Sequence, residues 1–97
     1  MGTYYIISVR IIPRGKLSEY CSKYKETTSQ LEAWYHEVKK AEWNNPLDVK
    51  EKYGSASIIG GNRVVFNIKG KKYRLVTKIN YQLKIVNIRF FWHSRGV

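Results

Sequence analysis

The feature that most restricts this chain is the pattern of its second half. From residue 63 to residue 92 it divides into three strand-length runs, 63–69, 72–80 and 83–92, separated by Gly70-Lys71 and Tyr81-Gln82. Two-residue loops are the commonest hairpin connections, so the pattern predicts an antiparallel meander. In that register Val64, Phe66 and Ile68 lie opposite Thr77, Leu75 and Tyr73, and these lie beside Val86, Ile88 and Phe90. One face is then almost wholly apolar. Because side chains alternate with a period of two, a slip of one residue would turn that face to water, so the pattern fixes the pairing strongly.

Upstream the apolar spacing changes. Residues 4–12 read as a strand with Tyr5, Ile7, Val9 and Ile11 on one side, broken by Pro13-Arg14-Gly15. Leu17, Tyr20, Cys21 and Tyr24 then follow the i, i+3, i+4, i+7 spacing of an amphipathic helix. A second helix is expected from Ser29, with Glu32 at capping-box spacing and an apolar stripe of Leu31, Trp34, Tyr35, Val38 and Ala41. Asn45-Pro46 ends it and starts a short third helix to about Tyr53, stopped by Gly54. Ile58-Ile59 precedes the turn signal Gly60-Gly61-Asn62. The expected fold is α+β, an N-terminal strand and two to three helices packed on an antiparallel β-sheet. With 97 residues, 43% of them hydrophobic, the chain is long enough for one domain over residues 1–97 and one modest core.

Charge narrows the function. The chain carries 18 Lys and Arg against 7 Asp and Glu, a net charge of +11. All the acids (Glu19, Glu26, Glu32, Glu37, Glu42, Asp48 and Glu51) lie in the first 51 residues, and ten basic residues follow from Lys52 onward with no carboxylate. A half of one sign repels itself unless a polyanion partner relieves it, which points to nucleic acid and to RNA first. No apolar run approaches the roughly 18 residues of a membrane span. The first residues show no basic segment leading into a cleavage site, so a cytoplasmic location is expected. Cys21 sits among apolar helix positions and reads as a core residue in a reducing compartment.

The polar side of the meander is where chemistry is expected. The same register sets Asn67, Arg74 and Arg89 in one row across three strands, with Lys69, Lys72 and Phe91 in the next and His93 just beyond. Like charges facing one another in a sheet are unfavourable, so such a cluster seeks a phosphate, and Arg63 and Lys78 extend it. Phe91 and Trp92 are candidates for stacking on a base. No GxxxxGK[ST] or GxGxxG motif occurs, so no nucleotide cofactor is expected. One Cys and two His give no metal-ligand spacing, and Ser55 and Ser57 have no triad partners in sequence. Metal-free RNA cleavage stays open. It needs a base for the ribose 2′-hydroxyl, an acid for the leaving oxygen and cations for the phosphorane charge. His93, Arg74, Arg89, Lys69 and Lys72 are residues of those types.

Several segments resemble the HigB-type toxins of bacterial toxin–antitoxin modules. In the helical half these are Ala33-Trp34-Tyr35, Lys39-Lys40-Ala41-Glu42-Trp43, Pro46, Asp48-Val49-Lys50 and Ser55-Ala56-Ser57. In the sheet half they are Arg63-Val64-Val65-Phe66-Asn67-Ile68-Lys69-Gly70, Tyr73-Arg74-Leu75-Val76, Asn80-Tyr81, Ile88-Arg89-Phe90 and His93. The resemblance implies a RelE-like fold and a type II toxin acting as a metal-independent, ribosome-associated mRNA endonuclease that inhibits translation. Its partners would be a cognate antitoxin, mRNA and the ribosome. By position, Arg74 and His93 would be catalytic, with Arg89 as helper: Arg74 for transition-state charge and His93 for proton transfer or substrate positioning. Lys69, Lys72, Asn67, Phe91, Arg63 and Lys78 are expected on the RNA. Where the family continues with Glu-Tyr-Asp, this sequence reads Ser94-Arg95-Gly96-Val97. That departure keeps two other expectations in view, a non-catalytic RNA- or ribosome-binding module and a gyrase-directed toxin of the same fold.

Overall fold

The computed structural model describes residues 9–93. In chain order the elements are β1 (Arg10–Ile12), α1 (Gly15–Lys23), a 3₁₀ turn (Lys25–Thr27), α2 (Thr28–Lys39), α3 (Pro46–Lys52), β2 (Ser57–Ile59), β3 (Arg63–Ile68), β4 (Tyr73–Asn80) and β5 (Ile85–His93). They form an α+β fold, three helices on one face of a five-stranded sheet ordered β1-β5-β4-β3-β2. The sheet is mixed, which corrects the all-antiparallel expectation: β2 to β5 are antiparallel neighbours, but β1 runs parallel to β5. The helical segment between β1 and β2 carries the chain over the sheet, so β1 can join the far edge in parallel. Tyr5 and Ile7 lie outside the described residues, while Val9 and Ile11 are buried as expected.

Leu31, Trp34 and Val38 of α2 and Val49 of α3 meet Val64, Phe66, Leu75, Val86 and Ile88 in one core. Leu17 reaches it from α1, and Tyr20, Cys21 and Tyr24 pack half-buried beside it. The expected capping box at Ser29 is absent. The 3₁₀ turn runs straight into α2, so Ser29 is already inside the helix, and Thr27 and Thr28 instead donate to the carbonyls of Tyr24 and Lys25 at 2.6 and 2.9 Å. A related side-chain cap appears at α3, one residue offset from a true box. Asn45 Oδ1 accepts from the Asp48 N–H at 3.1 Å, Asp48 Oδ2 accepts from the Asn44 N–H at 2.8 Å, and Pro46 occupies the first turn.

The first hairpin has the predicted register, Val64 opposite Thr77 and Asn67 opposite Arg74, with Lys72 N–H closing the turn on the Lys69 carbonyl at 3.1 Å. The second does not. Pairing stops at Asn80 opposite Ile85, leaving four loop residues where two were expected. The Asn80 side chain accepts from the Leu83 N–H at 2.9 Å, and Lys84 takes a positive φ of 58°. Lys84 Nζ is anchored on the Trp43 carbonyl and Asn44 Oδ1 at 2.9 and 2.8 Å. A two-residue slide preserves the faces, so Val86 and Ile88 still point inward. A further one-residue shift follows: Thr77 pairs with Ile88 but Val76 pairs with Phe90, leaving Arg89 as a bulge. Beyond it every side chain of β5 changes side. Phe91, not Phe90, enters the core.

Candidate nucleic-acid interface

The sheet face opposite the helices is built by alternation on β3 and β4 and by the bulge on β5. In register, Arg63 lies opposite Lys78, Val65 opposite Val76 and then Phe90, and Asn67 opposite Arg74 and then Trp92. Val65 and Val76 on this face are only 7% and 8% exposed, and Arg63, Lys78, Arg89 and Phe90 surround Val76. Phe90 and Trp92 remain 61% and 44% exposed. Arg63, Lys78 and Arg89 line one shallow cavity of about 350 Å³ with Gly61, Val76 and Phe90. Arg63 Nε donates to the Gly60 carbonyl at 3.1 Å, which holds its guanidinium at the rim. Among the described residues no carboxylate pairs with these three cations. Directly opposed Arg63 and Lys78 repel, and an anion between them would remove that repulsion. A second cavity of about 600 Å³ lies between α1 and α2, lined by Leu17, Cys21, Glu32, Tyr35 and His36 among others, away from the cationic face.

Arg74 is half-buried on the same face, and its Nε is buried without a hydrogen-bond partner among the described residues. Asn67 beside it donates to the Ser55 carbonyl at 2.9 Å, tying β3 to the segment after α3. Thus Arg63, Asn67, Arg74, Lys78 and Arg89 share one face, as the sequence led us to expect. The expected row does not form: Arg74 faces Trp92, and Arg89 stands at the bulge.

Four residues fall elsewhere. Phe91 is buried on the helix side, stacked on Tyr73 with ring centroids 5.4 Å apart and on Tyr20 at 5.0 Å. It is not a surface base platform. His93 lies opposite Tyr73, its ring edge-on at 4.8 Å, and so projects to the helix side rather than to the Arg74 side. Lys69 and Lys72 flank the β3–β4 turn at the end of the sheet. Lys69 adopts a positive φ of 56° and its N–H donates to Gln30 Oε1 at 2.6 Å. Lys72 forms an ion pair with Glu26 at 3.1 Å. The one-residue bulge accounts for the Phe91 and His93 differences together. The signal for it was the consecutive Phe90-Phe91-Trp92, which cannot alternate between core and solvent.

Glu26, unforeseen in the sequence, organises this sheet end by accepting from Tyr73 Oη and from Lys72 Nζ. The Tyr73 hydrogen bond, then that of Lys72, holds the Glu26 carboxyl below its usual range, and the Glu26 hydrogen bond pushes Tyr73 up to about 12. The signs give a test. A depressed carboxylate contributes stability that is present above its unfolded value and lost as pH falls through the lower folded one. A raised tyrosine contributes stability that is full below its ordinary value near 10 and lost as pH climbs toward about 12. Tyr73→Phe and Glu26→Gln are therefore expected to lower the melting temperature at neutral pH and to lose their difference from wild type at both extremes. Parallel melting curves across the whole pH range would refute the coupling.

Among the described residues no group of three metal-ligating side chains occurs, and no helix is long and apolar enough to cross a membrane. No curated protein matches the sequence. A family model described as the RelE-like toxic component of a toxin–antitoxin system matches residues 27–93. That span begins in the 3₁₀ turn and holds α2, α3 and β2 to β5, hence the complete cationic face and its supporting core. With its α+β architecture and more than half its length matched, the chain belongs to the HigB toxin family, whose members are the RelE-like toxins of toxin–antitoxin systems and have an antitoxin as partner.

Proposed function

We propose that this toxin is a metal-independent, ribosome-associated mRNA endonuclease that inhibits translation. The observation that carries the reading is the helix-free sheet face, where Arg63, Arg74, Lys78 and Arg89 surround exposed aromatic rings with no carboxylate among the strand residues. RNA cleavage without a metal proceeds by attack of the ribose 2′-oxygen on the adjacent phosphorus. The P–O5′ bond breaks, leaving a 2′,3′-cyclic phosphate and a 5′-hydroxyl. A base removes the 2′-hydroxyl proton, an acid supplies one to O5′, and fixed cations stabilise the charge gathering on the phosphoryl oxygens. Arg74 suits the last role because its planar fork is partly desolvated and, among the described residues, forms no ion pair with a carboxylate. Arg89 assists from the bulge.

His93 takes the proton-transfer role from the end of β5. Its register partner Tyr73 adjoins Arg74 on β4, so the two candidates are diagonal neighbours on opposite faces of the sheet. An RNA strand serving both must curl over the end of the sheet that carries Lys69 and Lys72. The same separation favours a second reading, a toxin that binds RNA or the ribosome through the cationic face without cutting.

Induced expression with mapping of mRNA 5′ ends, beside folded Arg74→Ala and His93→Ala variants, distinguishes them. New ends at codon-phased positions that vanish in both variants support the endonuclease. Undiminished growth arrest in both folded variants refutes these assignments. Intact mRNA with salt-sensitive RNA binding favours the binding module, and intact mRNA with DNA-damage signalling favours a gyrase-directed toxin.

A further inference from the structure

The bulge at Arg89 does more than reassign core residues. It turns Phe90 and Trp92, two residues apart, to the open cationic face, while Phe91 between them is buried. Two residues along a strand span about 6.7 Å, about twice the roughly 3.4 Å repeat of stacked bases within one nucleic-acid strand. The backbone spacing therefore matches one flat heterocycle held between two rings. The cavity of Arg63, Lys78 and Arg89 adjoins Phe90 on one flank, and Arg74 faces Trp92 on the other.

We propose that Phe90 and Trp92 form a base-stacking subsite for an unpaired nucleotide, with Arg63, Lys78 and Arg89 binding the phosphate on the Phe90 side. This deepens the RNA-directed reading above and rests on it. A bound single strand supplies a π face and a phosphate together, which matches exposed aromatic rings interleaved with cations. A duplex offers phosphates but keeps its bases stacked out of reach. A protein partner covering the rings with an apolar patch would leave four cations desolvated without counter-charge. Stacking tolerates any base, so the subsite supplies affinity and placement of the strand rather than base identity.

The test uses the full chain freed of antitoxin and a short labelled RNA with 2′-O-methyl groups, which cannot be cut because the attacking hydroxyl is blocked. An abasic strand of the same length carries the same phosphates. Fluorescence anisotropy is expected to show the base-containing strand binding about tenfold or more tightly than the abasic one, within the range for bases stacked on aromatic side chains. Phe90→Ala and Trp92→Ala should each remove most of that preference while leaving abasic binding and its salt dependence as in the wild type. Phe90→Leu, which keeps an apolar side chain, should lose it too. Arg89→Ala should instead weaken both strands and flatten the salt dependence.

Equal affinity for the two strands, no measurable binding of either, or unaltered preference in both aromatic variants overturns the proposal. So does loss of antitoxin binding or of self-association in those variants with RNA affinity intact, which would assign the rings to a protein contact. Because the probe is uncleavable, a retained base preference in a protein that leaves mRNA intact upholds the subsite while removing the endonuclease reading. Cleavage that persists without base preference does the reverse.

Discussion

Arg74→Ala is expected to slow mRNA cleavage by about 10²–10³-fold, the usual loss when one preorganised electrostatic donor is removed from a transition state. The argument is geometric. Arg74 occupies the middle of a cross-strand row between Asn67 and Trp92, and the strand pairing fixes its backbone on both sides. Its Nε is buried with no hydrogen-bond partner among the described residues, so the guanidinium is partly desolvated before any ligand arrives. A phosphate reaching it meets little water to displace, and charge developing there is stabilised more strongly than at an exposed lysine. Arg74→Lys should recover little of the rate, because an ammonium cannot form the paired, planar contacts of a guanidinium. Single-turnover cleavage of ribosome-bound mRNA measures the effect, with thermal melting to show that both variants fold. A folded Arg74→Ala variant cleaving at the wild-type rate would remove Arg74 from the chemistry.

The largest expected effect on stability comes from Phe66→Ala. The Phe66 ring is fully buried, edge-on to Trp34 at 5.4 Å and to Tyr53 at 5.2 Å, and stacked on Trp43 at 6.2 Å. It therefore joins β3 to α2, to the segment after α2 and to the end of α3. Truncating a buried Phe to Ala typically costs about 3–5 kcal/mol, a large share of the roughly 5–15 kcal/mol by which such domains are stable. Phe66→Leu should cost less because it leaves a smaller void. Phe90→Ala makes the same chemical change on the open face and should stay within about 0.5 kcal/mol of wild type. Urea unfolding of the three variants tests this ordering. Equal losses for Phe66→Ala and Phe90→Ala would mean that the face assignment of β5 is wrong.

Those two phenylalanines also mark how far the sequence could be read. Phe66 falls in a run where Val64, Phe66 and Ile68 recur at a period of two with Asn67 between the last pair, and the flanking turn signals fix the register, so its burial follows from the first hairpin's pattern. Phe90 and Phe91 adjoin one another beside Trp92, and alternation cannot say which of them is inside. That question is decided at Arg89, where the strand admits an extra residue so that Val76 meets Phe90 and Leu75 meets Phe91. The inward choice is set by packing: Phe91 completes an aromatic cluster with Tyr20, Tyr24 and Tyr73 supplied by α1, the residue after it and β4. Helix signals behaved in the same way. Asn45-Pro46 carries its own capping chemistry and was legible, whereas the start of α2 depends on a 3₁₀ turn placed by tertiary contacts and was not.

The candidate site divides along this line. By itself the sequence determined the α+β class, the first hairpin, the cationic character of the second half and the common face of Arg63, Asn67, Arg74 and Lys78, because charge and a period of two are local properties of the chain. Only the tertiary structure decided that Arg74 faces Trp92 rather than Arg89, that His93 turns toward Tyr73, and that Glu26 ties Lys72 and Tyr73 together from the far side of the chain. Each of these depends on loop length, on one inserted residue or on a partner more than forty positions away. Such long-range relations are settled by which packing buries most apolar surface, and no local window of sequence contains that comparison.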